Sequence, residues 1–365
     1  MSNNSIVIFI PTLMSGGAEK QAVLLTKLLK DDYKVLLVIW NGNLYEQKFL
    51  DYIKSNAINT YFLKGNLFFR SLILYRILKI QKVRYLFNYL ASNNFYGSIF
   101  GKLAGVKHII GGIRNSEIPR VKFFLQRFLH NYFLDYTIFN NYLGMESLTS
   151  QGFARRKSVV IPNCFELFVE PIVRKENEIV KIVSLARFVP QKDYLTALKA
   201  INHLKDVIYD GKDIKFKYII IGYGVLEMEI RGYIKAFQLE NKVEIIINPA
   251  NVMDYLESSD IFLTTSLFEG TSNSVMEAMS YSLPVVTTDA GDNKLLIEHD
   301  KNGFVTPLKD YKAIAVYLSK LIHDYDLRIK FGELSYLKLK NEYSTEIFKN
   351  RYIEFMKKIE KNRKK

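Results

Sequence analysis

A chain of 365 residues, 48% of them hydrophobic, is long enough for two packed cores, because single cores stop growing near ~250–300 residues. Its lone cysteine, Cys164, excludes an intramolecular disulfide, sits beside no residues that complete a metal site, and fits a reducing cytoplasm. The net charge of +14 is unevenly placed: residues 1–165 hold 21 Lys/Arg against 8 Asp/Glu, residues 166–345 hold 22 against 26, and residues 346–365 hold 8 against 3. That asymmetry turns one half of the chain toward an anion, with nucleic acid, anionic lipid and a phosphate-bearing substrate as the candidates.

The opening MSNNSIVIFIPTL has no basic leader and an apolar run of strand length only, so it reads as a first strand and not as a signal peptide. Apolar, β-branched runs recur at residues 6–10, 35–40, 61–63, 84–87, 108–113, 138–139 and 159–161, with helical stretches between them. That alternation is the pattern of a parallel sheet. A polar stretch at 166–178 precedes a second series at 180–185, 216–221, 243–247, 261–264 and 284–287. The expected architecture is α/β, with two Rossmann-like parallel-sheet domains at 1–165 and 166–344 and a basic, helical tail at 345–365. No stretch approaches the ~20 apolar residues that span a bilayer. Parallel sheets bind ligands beyond the carboxyl ends of their strands, so chemistry is expected in the loops after strands and in a cleft between the domains.

After the first strand come Gly16, Gly17, Ala18 and Glu19, then an apolar-periodic segment. Paired glycines let a backbone approach a ligand while the following helix start offers N–H groups to an anion; an ordinary strand-to-helix turn is the plainer reading. The first strand of the second series is followed by Arg187 and Lys192, five residues apart across a loop containing Pro190. Such a pair can clamp a diphosphate, Arg through a fork of donors and Lys as a point charge, although loop cations are usually just solvated. After the run at 261–264 comes Phe268-Glu269-Gly270-Thr271-Ser272-Asn273-Ser274-Val275-Met276-Glu277-Ala278-Met279. Here Thr271 or Ser272 can cap a helix whose N-terminus, from about Asn273 to Val275, faces an anion. Glu269 and Glu277 flank it, suited to hydroxyls of a sugar nucleotide. Glu277 stands among apolar neighbours and needs partners there.

Together the Gly-Gly-Ala-Glu turn, the Ile161-Pro162-Asn163 approach, the Arg187 and Lys192 pair, Gly222-Tyr223-Gly224 after a strand and the Glu269-x7-Glu277 spacing resemble the retaining GT-B glycosyltransferases of family 4 (glycosyl transferases group 1). The resemblance covers nearly the whole chain, in order. It implies two Rossmann-like domains facing across a cleft, the first for the acceptor and the second for the nucleotide sugar. It also implies a C-terminal helix, within 345–365, that returns to pack on the first domain. Arg187 and Lys192 would bind the donor diphosphate, Glu269 hydroxyls of the transferred sugar, and Glu277 the ribose. Gly16, Gly17, Gly222, Gly224, Thr271, Ser272, Asn273, Ser274 and Val275 would line the donor. Cations and a helix end that neutralise the leaving diphosphate remove the need for a metal or cofactor. Asp324-Tyr325-Asp326 falls between two amphipathic helices and reads as a loop and N-cap, not as a metal-binding pair. Where many family members carry a His, this chain has Arg114, followed by Asn115. An arginine cannot serve as a base, so Arg114, Asn115 and Glu19 are taken as acceptor or phosphate contacts, and the departing phosphate as the base. His108 reads as a packed strand residue.

Two basic, aromatic segments bear on the acceptor. Residues 68–82 place Ile73, Leu74, Ile77 and Ile80 on one helical side and Arg76, Lys79 and Lys82 on the other, with Arg70 misplaced; residues 120–133 are similar. Such helices can lie in an anionic membrane interface, or simply pack on a core with a solvated basic face. The reading is a glycosyltransferase at the inner face of the cytoplasmic membrane. It would extend a polyprenyl-diphosphate-linked glycan in assembly of a bacterial surface polysaccharide. A GT-B epimerase acting on the nucleotide sugar would need neither acceptor nor membrane. A nucleic-acid-binding protein would show steep salt dependence, but no recognisable reader motif supports it.

Overall fold

Residues 6 to 10 carry no polar side chain and are buried throughout, so they cannot present a wet face and become an interior strand of a parallel sheet. The computed structural model describes residues 5–14, 16–114, 120–166, 170–204, 208–209, 212–213 and 215–364. The chain divides into two units, Met1–Cys164 with Thr345–Lys365, and Phe165–Ser344.

In the first unit β1 (Ser5–Ile10), β2 (Lys34–Ile39), β3 (Thr60–Phe62), β4 (Tyr85–Asn88), β5 (His108–Ile113), β6 (Tyr136–Phe139) and β7 (Ser158–Val160) form one parallel sheet in the order β3-β2-β1-β4-β5-β6-β7. The helices are α1 (Gly17–Leu29), α2 (Gln47–Ser55), α3 (Leu67–Ile80), α4 (Ala91–Ala104), α5 (Arg120–Phe128), which runs into a π turn at Leu129–Phe133, and α6 (Tyr142–Ser150).

The second unit alternates β8 (Val180–Leu185), α7 (Tyr194–Leu204), a small antiparallel pair β9 (Ile208–Tyr209) and β10 (Lys212–Asp213), β11 (Phe216–Gly222), α8 (Glu227–Ala236), β12 (Val243–Ile247) and α9 (Met253–Glu257). It continues with β13 (Ile261–Thr264), α10 (Asn273–Ser280), β14 (Val285–Thr288), α11 (Asn293–Leu296), β15 (Gly303–Thr306), α12 (Tyr311–His323) and α13 (Tyr325–Tyr343). Its six-stranded sheet runs β12-β11-β8-β13-β14-β15, all parallel. Asp324 is the N-cap of α13, its side chain accepting from Leu327 N at 2.8 Å.

The last helix, α14 (Thr345–Lys364), belongs to the first unit, where Phe348, Tyr352, Phe355, Met356 and Ile359 share a core with Ile8, Leu25 and Phe87. Near its end Glu360 accepts from Arg84 Nε (2.8 Å) and Tyr85 Oη (2.9 Å), pairs with Lys107 Nζ (2.6 Å) and lies 2.9 Å from His108 Nε2. His108 is thus a packed strand residue that anchors the tail.

Three local expectations change. On α3 the buried residues are Leu74 and Leu78, while Ile80 points outward at 78% exposure. The core beneath α3 is built on Val7, Phe9, Val38 and Trp40, which turns its inner face away from Ile80. Arg70 is not misplaced, because its guanidinium lies 4.9 Å over the Trp40 ring and reaches Asn41 Oδ1. A sixth strand, β15, also joins the second sheet, and Gly303 permits it: a Cβ there would meet Val285 O at 2.2 Å.

Candidate functional site

Strand order reverses between β8 and β13 in the second unit, the switch point at which open parallel sheets hold ligands. The loops leaving these two strands are sewn together. Thr265 Oγ1 donates to the carbonyls of Lys192 (3.0 Å) and Asp193 (2.9 Å), Leu267 N donates to Gln191 O (2.8 Å), and Gln191 Nε2 donates to Phe268 O (2.6 Å). Asp193 takes a left-handed φ of 45°, and its carboxylate accepts from Thr196 Oγ1 at 2.7 Å at the start of α7. Lys192 ends a 3-10 turn, Pro190–Lys192, whose orientation is therefore fixed from both sides.

This stitching brings Lys192 and Glu269 into an ion pair, with side chains 14% and 11% exposed. Arg187 lies in the same loop as Lys192, exposed, its guanidinium without hydrogen bond or ion pair among the described residues. Beyond Glu269 the chain enters α10 through Thr271 and Ser272, both buried. Ser272 is the N-cap residue but makes no side-chain cap bond, its hydroxyl lying 3.3 Å from Ser274 Oγ. The first turn, Asn273, Ser274 and Val275, thus opens without a cap from the Ser272 side chain, four residues after Glu269, and a helix start of this kind attracts anions. Glu277, half-buried, follows one turn along the helix between buried Met276 and Ala278.

The glycines serve this geometry sterically. A Cβ on Gly222 would lie 1.9 Å from Ala186 O, and one on Gly224 2.5 Å from Phe188 O, so both let the Arg187 loop close over the end of β11. Gly291, after β14, escaped sequence reasoning. It has φ +60°, and a Cβ there would meet Glu269 O at 2.2 Å. Thr265 and Gln191 were missed as well. A glycine or hydroxyl in the loop after a strand was the available signal, but their contacts are tertiary.

In the first unit Gly16 is the N-cap of α1 and Gly17 its first residue. Glu19, 8% exposed, folds back over this turn: its Oε1 lies 3.3 Å from Thr12 Oγ1, and a Cβ on Gly16 would meet its Oε2 at 1.9 Å. Burial raises the Glu19 pKa above the usual carboxylate value, and the folded-back carboxyl fills the space over Gly16. Arg114, 8% exposed, stands beyond β5 with its guanidinium 4.2 Å over the Tyr89 ring and its Nη atoms 3.3 Å from Asn163 Oδ1 and 3.4 Å from Tyr352 Oη. Its Nε has no partner among the described residues. Gln21 fixes the segment after Asn163 by donating to Cys164 O (2.7 Å) and accepting from Cys164 N (3.1 Å). Leu90, beside Tyr89 where this sheet's order reverses, holds a φ of 71°, strain of the kind that collects at functional sites. Asn115 lies outside the described residues.

Residues 168–338 match the family described as Glycosyl transferases group 1. The amylovoran biosynthesis glycosyltransferase AmsK of Erwinia amylovora is 35% identical over 149 residues, which are 39% of this chain and 35% of that protein. The chain therefore spans about a third of the length of this relative. An N-acetylgalactosaminyltransferase of Campylobacter jejuni, named for an N-acetylgalactosamine-N,N'-diacetylbacillosaminyl-diphospho-undecaprenol substrate, is 28% identical over 86% of this chain and 92% of its own length. Among solved structures, Anabaena HepE in complex with UDP-glucose superimposes with a TM-score of 0.83 at 16% identity, covering 97% of this chain and 99% of that one. That likeness shows the fold, two parallel-sheet α/β domains of the GT-B class.

Proposed function

We propose that this chain, which belongs through residues 168–338 to the glycosyl transferases group 1 family, moves a sugar from a nucleotide-diphosphate donor to a lipid-linked glycan. The reaction keeps the sugar's configuration and needs no metal. The observation that supports this reading is the Lys192–Glu269 pair at the β8/β13 switch point, with the start of α10, which the Ser272 side chain does not cap, and the exposed guanidinium of Arg187 on the same loops. Arg187 and the α10 N-terminus receive the diphosphate, Lys192 adds a third positive group, and together they stabilise the charge that grows on the leaving nucleotide. Glu269 and Glu277 hold sugar and ribose hydroxyls. With Arg114 unable to accept a proton, the departing phosphate takes the proton of the acceptor hydroxyl.

The acceptor belongs to the first unit and to the cytoplasmic face of a membrane. Named substrates of the Campylobacter relative include a diphospho-undecaprenol, and the first 165 residues of this chain are strongly basic. Attachment is through basic and aromatic surface; no helix among the described residues is long and apolar enough to cross a bilayer. The polymer is a bacterial surface polysaccharide; AmsK is named for amylovoran biosynthesis.

A panel of UDP-, GDP-, ADP- and dTDP-sugars tests the reading through thermal stabilisation and nucleotide release in EDTA. One donor should stabilise the protein and release its nucleotide despite the chelator. Silence across the panel would remove the transferase reading, and a strict requirement for divalent metal would remove the metal-independent mechanism.

A further inference from the structure

A groove of about 700 Å³ lies on the first unit between α3 and α4, lined by Leu67, Phe68, Leu72, Phe100 and Leu103. Its polar members are Ser71 and Tyr75, and the Tyr75 hydroxyl already accepts from Lys79 Nζ at 2.8 Å. The volume falls inside the ~300–1,000 Å³ typical of ligand sites. Its apolar rim stands in water, with Phe68 70% and Leu103 66% exposed; clustered apolar side chains of this kind mark a binding surface.

Charge on the two helices that form the groove is one-sided: α3 and α4 carry Arg70, Arg76, Lys79 and Lys102 and no Asp or Glu. Lys102, next to Leu103, donates to Tyr132 O at 3.1 Å and lies 4.7 Å over the Phe133 ring. It thereby joins the groove to a second exposed apolar stretch, Phe124, Phe128 and Tyr132.

We propose that this groove seats the isoprenoid chain of a polyprenyl-diphosphate acceptor, an inference that rests on the lipid-linked reading above. A hydrocarbon chain asks for no hydrogen-bond partners, and the groove has almost none to spare. The cations around it complement the diphosphate to which such a chain is attached. A lipid whose head must reach a water-soluble enzyme exposes its first isoprene units, and a slot in the protein surface keeps them out of water while the remaining apolar rim rests on the bilayer. One groove matches one chain, whereas bulk phospholipid would meet the outer rim. A partner protein's helix would also cover apolar surface, and would have to bring acidic residues.

Farnesyl diphosphate, a soluble isoprenoid diphosphate, tests the assignment against inorganic diphosphate as the chainless control. The full chain should bind farnesyl diphosphate at least tenfold more tightly than diphosphate. That gain should vanish in Ser71→Trp, which fills the groove, and in Leu103→Asp, which charges its rim at an exposed position. Both variants should keep their melting behaviour and their release of nucleotide from the donor. A gain absent from the wild type, or surviving in both variants, overturns the proposal. So does equal, variant-sensitive binding of short-chain phosphatidylglycerol, which would make the groove a general lipid site. Binding of an acidic amphipathic helix that displaces farnesyl diphosphate and is the tighter ligand would likewise assign the groove to a protein. If wild-type donor turnover persists while the chain makes no difference, this inference fails and the transferase reading stands; if no donor is turned over, the transferase reading itself has failed.

Discussion

Lys192 and Glu269 stand 77 residues apart in sequence and meet as a largely buried ion pair across the loops after β8 and β13. The ammonium that would meet a diphosphate is engaged by the carboxylate that would hold the sugar. Donor binding therefore has to share Lys192 with Glu269, and the two residues separate kinetically. Glu269→Gln should bind the free nucleotide diphosphate at least as tightly as wild type, because Lys192 is released, while kcat falls by roughly 100-fold or more. Lys192→Ala removes the positive group proposed to face the leaving phosphate and takes away the Glu269 ion pair, so kcat/KM should fall by ~10²–10³-fold, with weaker nucleotide binding. Calorimetry with the nucleotide and steady-state kinetics read both effects, and wild-type turnover in either variant would contradict the site.

Gly291 gives a steric test of the same loop without removing any polar group. Its left-handed φ and the 2.2 Å approach of a Cβ to Glu269 O mean that Gly291→Ala must move the Glu269 backbone. The substitution should cost about 1–3 kcal/mol of stability in the second unit and lower turnover while donor-free secondary structure is kept. Gly232 is the control. It lies inside α8 with nothing within 4 Å of an added Cβ, so Gly232→Ala should stabilise by about 0.5–1 kcal/mol and leave turnover unchanged. Thermal melts and initial rates of the two variants decide between a positioning role for Gly291 and a general intolerance of alanine.

How much of this was legible beforehand follows from which interactions are local. The strand bounds 108–113, 180–185, 243–247 and 261–264 coincide with β5, β8, β12 and β13, because each segment is rich in β-branched residues. β15 was not read from Gly303-Phe304-Val305-Thr306, whose glycine and threonine imitate a turn and whose strand character comes from pairing with β14. Arg187, Lys192, Glu269 and Glu277 were legible as residue types in loops after strands. The contact of Lys192 with Glu269 was not, since it depends on β8 and β13 being neighbours in the sheet, and neither is Gly291 near Glu269 in sequence. The outward turn of Ile80 had the same origin: helical periodicity gives an apolar side, but Trp40 and the sheet beneath decide which side is inward.

Arg114 is charged, buried and held by neutral partners, the Tyr89 ring, Asn163 and Tyr352. Arg114→Lys preserves the charge but loses the planar group that spans these contacts. If Arg114 steers an acceptor phosphate, the variant should raise the acceptor KM by ~10-fold or more, as loss of a charge-assisted contact does, while nucleotide release in the absence of acceptor stays at the wild-type rate. A purely structural role would lower both activities in proportion to the fraction of folded protein, so measuring them on the same preparation separates the cases.

Glu360 anchors α14, and its chemistry makes the anchor sensitive to pH. The hydrogen bond from Arg84, joined by those of Lys107, Tyr85 and His108, outweighs burial and holds the Glu360 carboxyl far below the usual carboxylate range. Burial and the bond to Glu360 push Tyr85 up to about 12. A folded-state pKa depressed in this way contributes stability that is present above the unfolded value of ~4.3 and is lost as pH falls toward the folded value. Glu360→Gln should therefore destabilise the first unit at pH 7 by about 1.5–3 kcal/mol, the scale of hydrogen bonds to charged groups. The gap between wild type and variant should close progressively below about pH 4. Urea unfolding of both proteins between pH 7 and pH 3 tests this, and a gap that is independent of pH would mean that Glu360 acts through shape and not through charge.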